Sequence, residues 1–158
     1  MKEPITRSKI HTAVTVSAAH FVHTDCKSKC YRLHGHTWKV EVIMNGGIGE
    51  DGMVVDFNTI KKIVNEVDHK IIVPECLIHG TAKKSYNIWK GGSNYTIPKD
   101  DVFVLPREYP ASTSEWMAKY FRDRIWKVWK NKVDPRLIST LQVIVWEGPE
   151  SWAQAGGE

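Results

Sequence analysis

His34-Gly35-His36 sets two imidazoles two residues apart. On a strand, residues i and i+2 project from the same side, so both rings can converge on one ion. His20 closes an earlier alternating segment on its apolar parity. Antiparallel pairing of the two segments brings His20 beside His34 and His36. Three neutral imidazoles with a fourth position open describe a catalytic Zn²⁺ site. A single histidine reads more simply as a surface or core residue. An HxH pair with a third histidine placed by strand pairing favours the metal.

Other reactive residues lie around this triad. Cys30 stands four residues before His34, among Lys27, Lys29 and Arg32. Cations and Zn²⁺ nearby would favour its thiolate. It then reads as a base or nucleophile, or else as a structural thiol or a fourth metal ligand. Cys26 and Cys30 form a CxxxC pair, a weak redox signal, and Cys76 receives no role. Asp68-His69 offers a carboxylate to orient an imidazole for proton transfer, although a solvated helix end is the commoner meaning of such a pair. Glu147 closes a late apolar alternation, and an acid on such a face needs a partner. A heterocycle with two N–H donors, or a buried Arg or Lys, would serve equally.

The elements that must hold these groups are legible in outline. Residues 10–20 and 34–44 alternate with period two, predicting two strands joined by a polar, basic loop. Asn45-Gly46-Gly47 through Asp51-Gly52 reads as turn chemistry. Phe57, Ile60, Ile63, Val64 and Val67 predict a helix capped by Asp56 or Asn58 and ending near Asp68-His69. Residues 73–107 read as an insertion or elaborated loop, with a hairpin of 85–90 and 94–97 around Gly91-Gly92-Ser93 and a short strand near 101–105. Ser112-x-x-Glu115 matches a capping box ahead of the stripe Met117, Phe121, Ile125 and Val128, and Asp134-Pro135 breaks that helix. Residues 141–147 predict a last strand, ended by Gly148-Pro149.

Composition sets the outer bounds. The chain has 158 residues, 42% hydrophobic and 25% charged, which suits one globular domain spanning 1–158. Lys and Arg exceed Asp and Glu by 22 to 18, a mild excess that permits an anionic ligand. Three cysteines, the lack of an apolar signal stretch at the N-terminus and the lack of any run near the roughly 20 residues of a membrane span predict a cytoplasmic protein without membrane contact. Residues 119–136 are rich in Lys, Arg and Trp, but the cations interleave with an apolar stripe. They read as the wet face of a packed helix, so no nucleic-acid partner is expected.

Taken in order, several segments resemble the 6-pyruvoyltetrahydropterin synthase / 6-carboxytetrahydropterin synthase family. They are Ser17-Ala18-Ala19-His20, Cys30-Tyr31-Arg32-Leu33-His34-Gly35-His36, Gly52-Met53-Val54-Val55-Asp56-Phe57, Val67-Asp68-His69, Ser112-Thr113-Ser114-Glu115 and Val145-Trp146-Glu147. The resemblance implies an α+β tunnelling fold (T-fold), a four-stranded antiparallel sheet with two helices on one face, here with the insertion at about 73–107. It implies a homo-oligomer, a trimer or dimer of trimers, with pockets between subunits. It implies Zn²⁺ on His20, His34 and His36, Cys30 as the base, Asp68 and His69 as a proton-relay pair that serves a neighbour's zinc, and Glu147 as the pterin anchor, with Thr113, Ser114 and Glu115 in the pterin pocket.

The implied substrate is 7,8-dihydroneopterin triphosphate, for whose phosphates Lys27, Lys29 and Arg32 are candidates. The compact Cys-x-Arg-Leu-His-Gly-His spacing resembles the branch that forms 6-carboxytetrahydropterin for 7-deazaguanine nucleosides (queuosine or archaeosine). The pyruvoyl-forming branch, which eliminates triphosphate from the same substrate, is the alternative. An inactive zinc- and pterin-binding homologue is a further class, against which the joint presence of Cys30, Asp68, His69 and Glu147 argues. The chain departs from the family pattern at Lys70-Ile71-Ile72-Val73, where Leu-Asn often follows the Asp-His pair, and in the length of 73–107.

Overall fold

Alternation of small or β-branched residues with polar ones produces two long strands, β1 (Arg7–His20) and β2 (His34–Gly47). The computed structural model describes residues 5–157. It pairs the two strands antiparallel from Arg7↔Gly47 to His20↔His34. Val16, Ala18 and His20 of β1 and Trp38, Val40, Val42 and Met44 of β2 share the buried face. β2 runs on through Asn45-Gly46-Gly47, residues that read as a turn. Trp129 and Val54 pack so closely there that a Cβ on Gly46 would lie 2.8 Å from the indole, so glycine serves close approach.

Helix α1 (Phe57–Asn65) begins where Asp56 accepts a hydrogen bond from the Asn58 N–H at 2.9 Å. Strands β3 (Ile71–Pro74), β4 (Ile78–Thr81), β5 (Ser85–Lys90), β6 (Ser93–Pro98) and β7 (Val102–Leu105) follow. Helix α2 (Ser114–Lys132), β8 (Ile138–Gly148) and β9 (Ser151–Gly156) complete the described order. Both helices pack on one face of the main sheet. Ile60, Ile63 and Val64 of α1 and Met117, Phe121, Ile125 and Trp129 of α2 join the inward residues of β1, β2 and β8 in one apolar core. Burial of such side chains contributes roughly 1.5–3 kcal/mol each relative to exposure.

The main sheet is larger than the expected four antiparallel strands. Its order is β7-β3-β1-β2-β8-β9, six strands. Four of them, β1, β2, β8 and β9, are antiparallel neighbours. β3 adds to the free edge of β1 in parallel at Ala19↔Ile71, and β7 pairs parallel with β3. The chain also returns after Gly148-Pro149 as β9, a strand that 141–147 alone did not predict. Residues 73–107 are thus well-formed structure. β4, β5 and β6 make a second, three-stranded sheet, whose core unites Ile88 with Phe21, Val73 and Val102.

The start of α2 also differs from expectation. Ser112 is buried, and its hydroxyl donates to the Phe21 carbonyl at 3.2 Å. It therefore cannot cap the helix. Thr113 occupies the N-cap, with no capping bond from its side chain.

Candidate metal centre and active site

The pairing of β1 with β2 sets His20 opposite His34 and Ala18 opposite His36. One nitrogen from each of the three imidazoles falls within 4.8 Å of the others. The rings lie edge to face or tilted, with centroids 4.5 to 5.1 Å apart, and Trp38 closes the inner side at 4.9 Å from His20.

Backbone carbonyls settle two of the tautomers. His20 Nδ1 lies 2.5 Å from the Ser112 carbonyl, and His34 Nδ1 lies 2.6 Å from the Arg32 carbonyl. A carbonyl only accepts, so each Nδ1 carries the proton and each neutral ring turns a bare Nε2 lone pair inward. The two Nε2 atoms face one another at 3.0 Å. Two lone pairs so placed repel unless a cation or proton lies between them, and nitrogen donors near 2 Å from a shared Zn²⁺ would have a similar separation. Burial drives the His20 pKa down from 6.5 to about 4, against the Ser112 carbonyl, which raises it. The ring is therefore neutral at physiological pH, the form that binds metal. These residues fit a metal ion of the Zn²⁺ class.

Glu147 continues the inward parity of Val143 and Val145 on β8. Burial raises its pKa. The nearby His36 and His34 rings and the Ser114 backbone N–H oppose that rise, and the Glu115 carboxylate adds to it. Glu147, Thr113, Ser114 and Glu115 are thus brought together at the N-terminus of α2, beside the imidazoles. The Thr113 hydroxyl is not spent on the helix, and Thr113 and Ser114 are half-buried. A cavity of about 660 Å³ opens beside Glu147, lined by Thr15, Thr37, Lys39 and Trp146.

Cys30 sits on a single 3-10 turn, Lys29–Tyr31, capped by the Ser28 hydroxyl, which accepts its N–H at 3.1 Å. Its thiol is free and exposed, and so is that of Cys26, so no disulfide links them. Lys27, Lys29 and Arg32 are exposed around it.

Asp68 and His69 form a pair, with Asp68 Oδ2 3.0 Å from His69 Nδ1. The Ser17 N–H donates to Asp68 Oδ1 at 2.9 Å, and this bond, followed by the one to His69, lowers the carboxyl pKa. His69 has φ 57, the left-handed region, while its N–H donates to the Ser17 carbonyl at 2.6 Å. A non-glycine residue there carries backbone strain that the surroundings must hold. Its ring is exposed beside a cavity of about 460 Å³ that Ser17, Gly35 and Thr37 also line. These three have the parity opposite to the imidazole triad, but His36 of the triad lines the same cavity. Among the described residues no hydrogen bond, ion pair or ring contact joins Asp68 or His69 to the triad or to Cys30.

Three supporting groups escaped the sequence reading: the carbonyls of Ser112 and Arg32 and the N–H of Ser17. All are backbone groups, which every residue type carries, so no side-chain signal could have found them.

Comparison with known proteins places this geometry. The family model described as 6-pyruvoyl tetrahydropterin synthase matches residues 9–158. The 6-carboxy-5,6,7,8-tetrahydropterin synthase of Bacillus subtilis is 36% identical over 139 residues, covering 87% of this chain and 77% of that one. A Pyrococcus horikoshii protein provisionally given the same name is 33% identical over 150 residues, covering 95% and 90%. The crystal structure of 6-pyruvoyl tetrahydropterin synthase from Plasmodium vivax superposes with a TM-score of 0.76 at 22% identity, over 97% of this chain and 99% of that one, a likeness of fold. With a match that spans both helices, the main sheet and every residue of the candidate centre, the chain belongs to the 6-pyruvoyl tetrahydropterin synthase family.

Proposed function

We propose that this single domain is a zinc-dependent 6-carboxy-5,6,7,8-tetrahydropterin synthase. With one water, it would convert 7,8-dihydroneopterin triphosphate into 6-carboxytetrahydropterin, acetaldehyde and triphosphate. The observation that carries the reading is the inward-facing Nε2 pair of His20 and His34, with His36 beside them and Glu147 next to the cluster. The names of the relatives above and the compact Cys30–His36 spacing favour the carboxy-forming activity over the pyruvoyl-forming one.

His20, His34 and His36 would hold the ion. When bound, Zn²⁺ supplies Lewis acidity to the side-chain oxygens of the substrate. Glu147 accepts the N–H donors of the pterin's amino-pyrimidine edge, a bidentate match that an acid beside a mostly apolar face is well placed to make. Thr113 and Ser114 offer a hydroxyl and a backbone N–H at the start of α2 to the same ring. Cys30, as thiolate, takes a proton from the side chain, and His69, held by Asp68, relays protons to and from the oxygens.

The lack of any hydrogen bond, ion pair or ring contact between the Asp68–His69 pair and the triad among the described residues supports a homo-oligomer, a trimer or dimer of trimers, in which the pair serves the metal centre of a neighbour. The described residues include no helix long and apolar enough to cross a membrane.

The deciding experiment incubates the zinc-loaded protein with dihydroneopterin triphosphate and identifies products by mass. 6-Carboxytetrahydropterin with acetaldehyde is expected. 6-Pyruvoyltetrahydropterin without acetaldehyde would assign the sibling activity, and no product would sink the enzyme reading.

A further inference from the structure

The second sheet meets the Cys30 turn at Tyr31. Lys90 ends β5, and its ammonium lies 4.5 Å from the ring centroid of Tyr31, 5.4 Å from that of Phe21 and 5.8 Å from that of Tyr95. Each ring face attracts a cation at these distances, and half-burial of Lys90 strengthens the attraction by removing competing water. The next residue, Gly91, makes an independent contact with the same ring. Its φ is +54, and a Cβ there would lie 1.5 Å from the Tyr31 hydroxyl oxygen. The hydroxyl fills the space a side chain would take. The β5–β6 turn is therefore moulded around Tyr31 from two sides.

Tyr31 closes the 3-10 turn that carries Cys30. Among the described residues the turn's hydrogen bonds are local ones and one edge contact: the Cys30 N–H donates to the Ser28 hydroxyl and the Arg32 N–H to the Lys29 carbonyl, each at 3.1 Å. The Tyr31 N–H donates to the Ser28 carbonyl at 3.1 Å, and the Val22 N–H donates to the Cys30 carbonyl at 2.8 Å. The thiol itself has no hydrogen-bond partner among the described residues. Its position is inherited from the turn, in a loop whose Lys27, Lys29 and Arg32 repel one another. A single turn of this kind is marginal without outside contacts.

We infer that Lys90 and Gly91 are positioning residues for Cys30, clamping Tyr31 and so fixing the turn that presents the thiol. The effect on turnover rests on the proposed role of Cys30; the clamp itself does not. This gives residues 73–107 a function at the site: the second sheet braces its most weakly held reactive group.

The test uses the zinc-loaded full chain with Cys26→Ser and Cys76→Ser, so that Cys30 alone is alkylated. Lys90→Met, Lys90→Arg and Gly91→Ala are compared with this parent. Methionine keeps an apolar stem against the rings, so the fold is retained. Lys90→Met and Gly91→Ala should speed amide exchange at Tyr31 and Arg32 about tenfold. They should also raise the rate of Cys30 alkylation by iodoacetamide at a fixed pH. Turnover should show a kcat about tenfold lower, with KM within about twofold and zinc content unchanged. Lys90→Arg, which keeps a cation over the rings, should restore all three readouts. Parental exchange and alkylation in Lys90→Met would overturn the clamp, whereas an unchanged kcat beside altered exchange and alkylation would keep the clamp and overturn the role of Cys30 in turnover. A parent that makes no pterin product would sink the proposed function instead, and exchange and alkylation would still decide the clamp.

Discussion

His20 and His34 donate their Nδ1 protons to carbonyls on two different segments, so the inward-facing lone pairs are fixed by the backbone rather than by other side chains. Under the proposed function, metal binding and proton transfer fall to different groups. Removal of an imidazole should cost the ion, and removal of the thiol should not. His34→Ala is expected to lose bound zinc, measured as metal per chain after gel filtration. Cys30→Ala should keep full zinc and lose about 10²–10⁴-fold in kcat. Zinc retained in full by His34→Ala would show the ligand set to be wrong, and surviving turnover in Cys30→Ala would remove it as the base. The triad was legible in the sequence because strand periodicity and antiparallel pairing place i, i+2 and a hairpin partner on one face. Glu147 was legible as an acid out of place on an apolar stripe. The strained backbone of His69 was not, because a left-handed φ at histidine leaves no mark on composition.

The two helices are joined across the core by a polar contact at Tyr120. Its hydroxyl donates to Glu66, just past α1, at 3.5 Å, and Arg124 reaches the same carboxylate at 3.0 Å. Burial, reinforced by Glu66, raises the Tyr120 pKa from 10 to about 12. The folded state then holds its proton more tightly than the unfolded chain does. The stability this gives is complete below pH 10 and is lost as pH rises through about 12. Urea midpoints should fall over that interval by the equivalent of roughly 2–3 kcal/mol, and Tyr120→Phe should fall less steeply. An equal slope in both proteins would remove Tyr120 as the cause.

Long elements with a sustained period were readable: β1, β2, α1, α2 and β8 fall close to their predicted ranges. Within 73–107 the expected hairpin and short strand appear as β5, β6 and β7, whereas β3 was not readable, since four residues are too few to show alternation. The capping box failed for a different reason. Ser112 matched the local pattern, but its hydroxyl and carbonyl are claimed by Phe21 and His20, contacts that exist only after β1 has packed against the start of α2.

At the scale of the whole molecule, the sheet has two faces with different chemistry. The inward parity carries the imidazoles and Glu147, and the outward parity borders the cavity beside His69. If pockets form between copies, two defective chains can repair one another. His34→Ala lacks the metal half and His69→Ala lacks the relay half. Refolded together in equal amounts, they should regain about a quarter of the wild-type activity, because one neighbouring pair in four unites two intact halves. Activity no higher than either variant alone would place the whole site within one chain.

The short run from Ser112 to Ser114 touches both ends of this site. Its first carbonyl fixes the ring of His20, and two residues later its N–H meets the carboxylate of Glu147. Under the proposed function, this one peptide would link the ion to the pterin edge. Such a link works equally in both directions: whatever factor zinc adds to pterin affinity, pterin must return to zinc affinity. An enzyme built this way would keep its metal best while it is at work.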